Sequence, residues 1–119
     1  MFTNSQLKTY LHFFEDDTIT FFKDANGYIE YHKTLYKFID DCEKLHMMDK
    51  EYLENLKKYI DKGIELKELI EIADINLLKS ILTYYIRGER FCDGMIAVSF
   101  EDNIFKRILI RLLVLQNCK

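Results

Sequence analysis

The sequence predicts an all-α protein, a compact irregular bundle of about six or seven helices. Three observations support this fold class. The 119 residues contain no proline, so nothing in the chain forbids a helix. Apolar residues recur at spacings of three and four, as on one face of a helix. Asparagine, aspartate and glycine separate these stretches. The length suits one domain, which we expect to span residues 1–119.

The first half of the chain predicts two helices joined by a loop. The first helix is expected over about residues 5–15, with Asn4 as its N-cap. Residues 18–22 have β character, but one strand cannot stand alone, so we expect an extended loop with a turn at residues 24–27. The second helix, over about residues 31–46, follows from one apolar stripe. Its members are Tyr28, Tyr31, Leu35, Phe38, Ile39, Cys42 and Leu45.

The second half predicts the remaining helices. Asp49 is expected to cap a third helix, which Gly63 ends, and a short helix follows around residues 66–70. Asp74 is expected to cap the next long helix, and Asp93 a short helix over about residues 94–100. The last helix, over about residues 103–115, is apolar on most sides. We therefore expect it to lie at the centre of the core.

Charge and hydropathy exclude several function classes. The net charge of −3 argues against general binding to nucleic acids, which favours a basic domain. The longest apolar segment, residues 108–115, contains Arg111 and is far too short for a membrane span. Polar residues interrupt the first helix, so no secretory signal is predicted. We expect a cytoplasmic protein without a membrane partner; its oligomeric state does not follow from the sequence.

The cysteines and histidines predict neither a metal site nor a disulfide framework. Their spacing is wide, the cysteine count is odd, and no CxxC or HExxH pattern occurs. These residues are Cys42, Cys92, Cys118, His12, His32 and His46. Reduced thiols are expected, and Cys92 is interpreted as a small buried residue because no histidine lies near it in sequence. No phosphate-loop or dinucleotide motif is present, so no cofactor is predicted.

The stretch TYYIRGERFCDG, residues 83–94, contains the strongest candidate site. On a continuous helix, Glu89 would fall on the same apolar stripe as Leu82 and Tyr85. Burial of an unpaired carboxylate is costly, which leaves three arrangements open. The helix breaks at Gly88 and Glu89 turns outward, Glu89 pairs internally with an arginine, or Glu89 faces a cleft.

All four arginines lie in the last third of the chain. The planar guanidinium binds carboxylates and phosphates through two parallel bonds, which lysine cannot do. Their concentration predicts either an internal network with the acids Glu89, Asp93, Glu101 and Asp102 or a site for an anionic ligand. The ligand-binding candidates are Arg87, Glu89, Arg90, Asp93, Arg107 and Arg111.

The octapeptide RGERFCDG, residues 87–94, and the later ILIRLL, residues 108–113, resemble a family of small bacterial proteins of unknown function. The segments at residues 28–31 and 38–39 are also similar to that family. The resemblance covers about residues 28–115, with least correspondence over residues 1–24. It implies a bacterial or phage source and a cytoplasmic setting, and it brings no activity with it.

Two function classes stay open. We expect a non-enzymatic binding or regulatory module for a protein partner or a small anionic ligand, for example a phage- or toxin-associated inhibitor. The alternative is an enzyme or sensor for a phosphate-bearing nucleotide such as an ADP-ribose-type ligand. There Arg87, Arg90 and Arg107 would hold the anion, and Glu89 or Asp93 would act as acid or base. An enzyme requires these groups to line an open pocket, whereas a binding module can lock them inside.

Overall fold

A computed structural model of the chain describes residues 1–89 and 94–117. The predicted mainly helical bundle is confirmed, with a small two-stranded sheet added to it. Two short 3-10 turns lie at Ile70–Ile72 and Phe100–Asp102. The elements in chain order are α1 (Asn4–Glu15), β1 (Phe22–Ala25), β2 (Tyr28–Tyr31), α2 (Lys33–Lys44), α3 (Tyr52–Asp61), α4 (Leu66–Leu69), α5 (Ile75–Gly88), α6 (Met95–Ser99) and α7 (Ile104–Asn117).

The β-hairpin corrects the prediction of an extended loop before α2. Strands β1 and β2 pair antiparallel, with Phe22 opposite Tyr31. Asn26 and Gly27 form the connecting turn with φ values of 54° and 89°. Two successive positive φ angles match the right-handed twist of a hairpin, which is why Asn-Gly is favoured there. The loop was predicted because one strand cannot stand alone. Residues 28–31, which form the partner strand, had been assigned to the apolar stripe of the second helix.

Two helix starts also differ from the prediction. Thr3, not Asn4, caps α1: its hydroxyl accepts from the Gln6 N–H at 3.1 Å, and the Gln6 side chain accepts from the Thr3 N–H at 2.8 Å. Helix α2 begins at Lys33 rather than near Tyr31, since Tyr31 is paired in β2.

The aspartates predicted as caps behave differently from one another. Asp74 is confirmed as the N-cap of α5, where its carboxylate accepts from the Leu77 N–H at 2.8 Å. The prediction that Asp49 caps α3 was wrong, since Glu51 is the N-cap residue; Asp49 lies two residues earlier, where it accepts from the Glu51 N–H at 2.9 Å and from Ser80 Oγ at 2.5 Å. The predicted cap Asp93 lies outside the described residues.

Aromatic rings form the centre of the core. Phe38 of α2 is fully buried, and rings from α1, from α7 and from the residues before α1 surround it at centroid distances between 5.0 and 6.0 Å. These rings belong to Phe2, Tyr10, Phe14 and Phe105. Helix α7 buries Ile108 and Leu112 but leaves one face, with Ile110 and Val114, largely exposed. It is therefore a wall of the core, not its enclosed centre as expected.

None of the helices over residues 1–89 and 94–117 combines the length and the apolar character that crossing a bilayer demands.

Candidate functional site

The carboxylate of Glu89 joins three parts of the fold. Glu89 follows the last residue of α5 and is half-buried. Its Oε1 accepts from the Tyr31 hydroxyl at 2.7 Å and from the Ile96 N–H at 2.9 Å, while its Oε2 accepts from the Gly94 N–H at 2.8 Å. The end of α5, the end of the hairpin and the start of α6 are thereby fastened together. We call Tyr31, Glu89 and the N–H groups of Gly94 and Ile96 the Glu89 lock.

Tyr31 completes the lock from the hairpin side. Its hydroxyl donates to Glu89 and accepts from the Ala97 N–H at 3.2 Å. Burial, and then the hydrogen bond to Glu89, raise the pKa of Tyr31 above its ordinary value, so the phenol stays a neutral donor. Gly94 has φ of 92°, a left-handed conformation that favours glycine. An added Cβ there would lie 3.1 Å from Cδ1 of Ile29 in the hairpin.

The contacts of Glu89 combine features of the arrangements left open for it, and the residue also lines a cleft. The helix does end at Gly88, as in the first arrangement, but the carboxylate turns toward the hairpin and α6 instead of outward. Within residues 1–89 and 94–117, no arginine forms an ion pair with it; its partners are a phenol and backbone N–H groups. The predicted network paired Glu89 with an arginine, whereas its partners among the described residues are a phenol and backbone N–H groups; Arg90 lies outside these residues.

A mainly apolar cleft of about 340 Å³ lies beside the lock. We call it the Arg87 cleft. It is lined by Ile29, Tyr31, Tyr36, Ile39, Glu43, Ile86, Arg87, Glu89 and Ile96. A second cleft of about 370 Å³, which we call the basic cleft, is lined by Glu43, His46, Met48, Lys50 and Arg87. The two clefts adjoin, since Glu43 and Arg87 line both.

Arg87 lies where the two clefts meet, and the environment of its Nε atom is unusual. Its Nε is buried and has no hydrogen-bond partner among the described residues. Buried polar atoms in folded proteins are nearly always paired, because an unmade bond leaves the cost of desolvation uncompensated. A guanidinium forms its strongest hydrogen bonds with carboxylates and phosphates, so this atom is where an outside acceptor would matter most.

Arg107 and Arg111 lie on α7 and bond elsewhere. Arg107 Nη2 donates to the Lys67 carbonyl at 2.7 Å and to Glu71 Oε1 at 3.1 Å. Arg111 Nε donates to the Ala73 carbonyl at 3.0 Å. Both arginines therefore attach α7 to the segment from Lys67 to Ala73, which includes most of α4 and the 3-10 turn after it.

The six predicted site residues thus separate into three groups. Arg87 and Glu89 line one cleft, and Arg107 and Arg111 lie against residues 67–73. Arg90 and Asp93 fall outside the described residues. Of the other acids, Asp102 lies 3.5 Å from the Lys67 ammonium.

Sequence reasoning missed Tyr31, Tyr36 and Ile39 as lining residues. For Tyr31 the available signal was the Asn26-Gly27 pair, which favours a hairpin turn and so makes the residues after it a strand.

A larger groove of about 540 Å³ lies between α1 and α2. There the Tyr10 hydroxyl donates to Asp41, and burial and then this bond raise the pKa of Tyr10.

Cys42 is fully buried, and burial raises the pKa of its thiol as well. Over residues 1–89 and 94–117, no three histidine, cysteine or acidic residues lie close enough to hold a metal.

Comparison with known proteins gives one match. The model of a family of unknown function, DUF6508, matches residues 23–117. The predicted resemblance to a family of unknown function is supported at this level. The matched range includes all of the hairpin except Phe22, together with the lock and both clefts, and it leaves out α1. No curated protein and no solved structure matches the chain.

Proposed function

The chain belongs to the family of unknown function DUF6508, and we propose that it is a non-enzymatic binding module whose partner occupies the Arg87 cleft and the basic cleft. One observation carries the proposal: the buried Nε of Arg87 lacks a partner among the described residues, beside an apolar wall. A phage- or toxin-associated inhibitor would be one such module, and no residue of the clefts distinguishes it from others.

The contacts of Glu89 favour binding over catalysis. A general acid or base must reach the proton of its substrate. The carboxylate of Glu89 instead receives three donors from its own chain, out of about four that two oxygens can accept. Tyr31, the nearest phenol, is likewise occupied on both sides. These contacts support a structural role for Glu89 over that of a general acid or base; Asp93, the other candidate, lies outside the described residues.

The residue types around the clefts fit a binding surface. Arginine and tyrosine are enriched where truncation weakens protein binding most. Tyr36 is 52% exposed at the Arg87 cleft, with its ring edge against Tyr31 at a centroid distance of 6.2 Å. An aromatic side chain that is held in place loses little entropy when it is covered.

A peptide selection tests the proposal. Random dodecapeptides displayed on phage are selected on the immobilised protein, and each enriched peptide is measured against variants. Tyr36→Ala and Arg87→Ala should weaken binding about tenfold or more. Tyr28→Ala is the matched control, since Tyr28 is 58% exposed in the hairpin and does not line either cleft. Peptides that bind all three variants as tightly as the wild type would contradict the proposal, as would turnover of ADP-ribose or a nucleotide.

A further inference from the structure

We infer that the partner is an extended peptide segment with an apolar anchor followed by acidic side chains. This inference rests on the proposed function. The anchor would lie among Ile39, Ile86 and Ile96 of the Arg87 cleft, and the carboxylates against Arg87 and Lys50. The geometry and the charges of the two clefts each support one part of it.

The division into two compartments indicates an extended occupant. The Arg87 cleft is mainly apolar, whereas the basic cleft is about equally polar and apolar and has Lys50 and His46 in its lining. They meet only along Glu43 and Arg87, so one compact group cannot fill both. An extended chain can, because its side chains project at regular intervals and different residues reach each compartment.

The charges around the junction indicate acidic side chains. Arg87 and Lys50 carry positive charge, His46 adds ring nitrogens, and Glu43 is the one acid lining the basic cleft among the described residues. The whole chain has a net charge of −3, so the attraction is local and acts within a Debye length of about 8 Å at physiological salt. A carboxylate also matches the planar guanidinium bond for bond, which satisfies a buried N–H more fully than a carbonyl does.

A phosphate-bearing ligand fits these clefts less well. Phosphates are commonly bound by backbone N–H groups at the start of a helix. The N–H groups of Gly94 and Ile96, where α6 begins, already donate to Glu89. A phosphate at this helix start would have to displace the Glu89 carboxylate, so only the side chains of the clefts remain to bind it, whereas an acidic peptide leaves the lock unchanged.

Two phage libraries test the charge of the partner directly. One contains random dodecapeptides, and the other is identical except that it lacks aspartate and glutamate. We expect enrichment only from the first library, with an aliphatic or aromatic residue near the acids. Replacing the acids of a selected peptide by their amides should weaken binding about tenfold, measured by fluorescence anisotropy.

Charge reversal in the protein supplies the second half of the test. Arg87→Glu should weaken binding of the acidic peptide about tenfold or more. It should strengthen binding of the same peptide with lysines in place of its acids. Lys50→Glu changes an exposed side chain and keeps the test valid if Arg87→Glu fails to fold. Lys8→Glu is the control, as an exposed lysine of α1 that lines neither cleft.

The outcomes separate the inference from the proposed function. If the acid-free library yields tight binders that still require Tyr36, the inference of an acidic partner is wrong and the proposal of a binding module stands. The absence of binders from both libraries would overturn both. A dimer in sedimentation equilibrium that Arg87→Glu dissociates would overturn the peptide in favour of a second copy. Displacement of the selected peptide by micromolar ATP would overturn it in favour of a phosphate ligand.

Discussion

Replacement of Glu89 by glutamine tests whether the lock holds the fold together. The substitution keeps the shape of the side chain and exchanges one oxygen for an NH₂ group. The amide oxygen can take the place of Oε1 and keep the bonds from Tyr31 and Ile96. The NH₂ group then faces the Gly94 N–H, which had donated to Oε2 at 2.8 Å. Two donors now oppose each other, so the bond is lost.

The cost follows from the three contacts. An unsatisfied donor in a part-buried position costs about 1–3 kcal/mol. The two remaining bonds lose the assistance of a full charge, about 1 kcal/mol each, and easier burial of a neutral amide offsets part of that loss. We expect the free energy of unfolding to fall by about 2–3 kcal/mol.

Urea unfolding followed by circular dichroism at 222 nm measures this change. With a denaturant slope of about 1–3 kcal/mol per molar, the midpoint should fall by about 1 M or more. Glu43→Gln is the matched control: Glu43 lines the same cleft, is exposed, and has no ion pair or side-chain hydrogen bond among the described residues. Its expected effect is under about 0.5 kcal/mol. An unchanged midpoint for Glu89→Gln, together with a loss of peptide or nucleotide binding, would refute the lock and make Glu89 a ligand-binding residue.

Three further predictions concern Arg107, the tyrosines of the core and Cys42. Arg107→Ala should lower the free energy of unfolding by about 1–2 kcal/mol, since the Lys67 carbonyl loses its donor. Glu71→Ala should lower it less, because the Glu71 side chain is 67% exposed. Equal urea midpoints for the two variants would contradict this difference. Stability should fall as the pH rises above about 10, because the pKa values of Tyr10 and Tyr31 are raised in the folded state and the unfolded chain alone releases those protons there. Urea midpoints at pH 8 and pH 11 check this, and Tyr31→Phe should reduce the difference between them. In a Cys92→Ser, Cys118→Ser double variant, Cys42 should react with a thiol reagent only as fast as the chain unfolds, whereas rapid labelling in native buffer would show that the thiol is accessible.

The sequence by itself determined most of the helices. A helix depends on contacts three or four residues apart, so apolar spacing and capping residues are enough to predict it. The prediction was right for α5, which Asp74 caps, and near the observed bounds for α7. It was wrong at the hairpin, where a four-residue strand is too short for its alternation to differ clearly from a helical stripe.

The candidate site was only half visible in the sequence. Glu89 stood out because a carboxylate on an apolar stripe must find a partner. The partners were decided by tertiary structure: Tyr31 lies 58 residues earlier, and Gly94 and Ile96 come into reach because the start of α6 lies beside the end of α5. Many donors in the chain would satisfy one carboxylate equally well, so local pattern cannot choose among them. The packing of the hairpin against α6 makes that choice, and it also forms the cleft in which Arg87 lies.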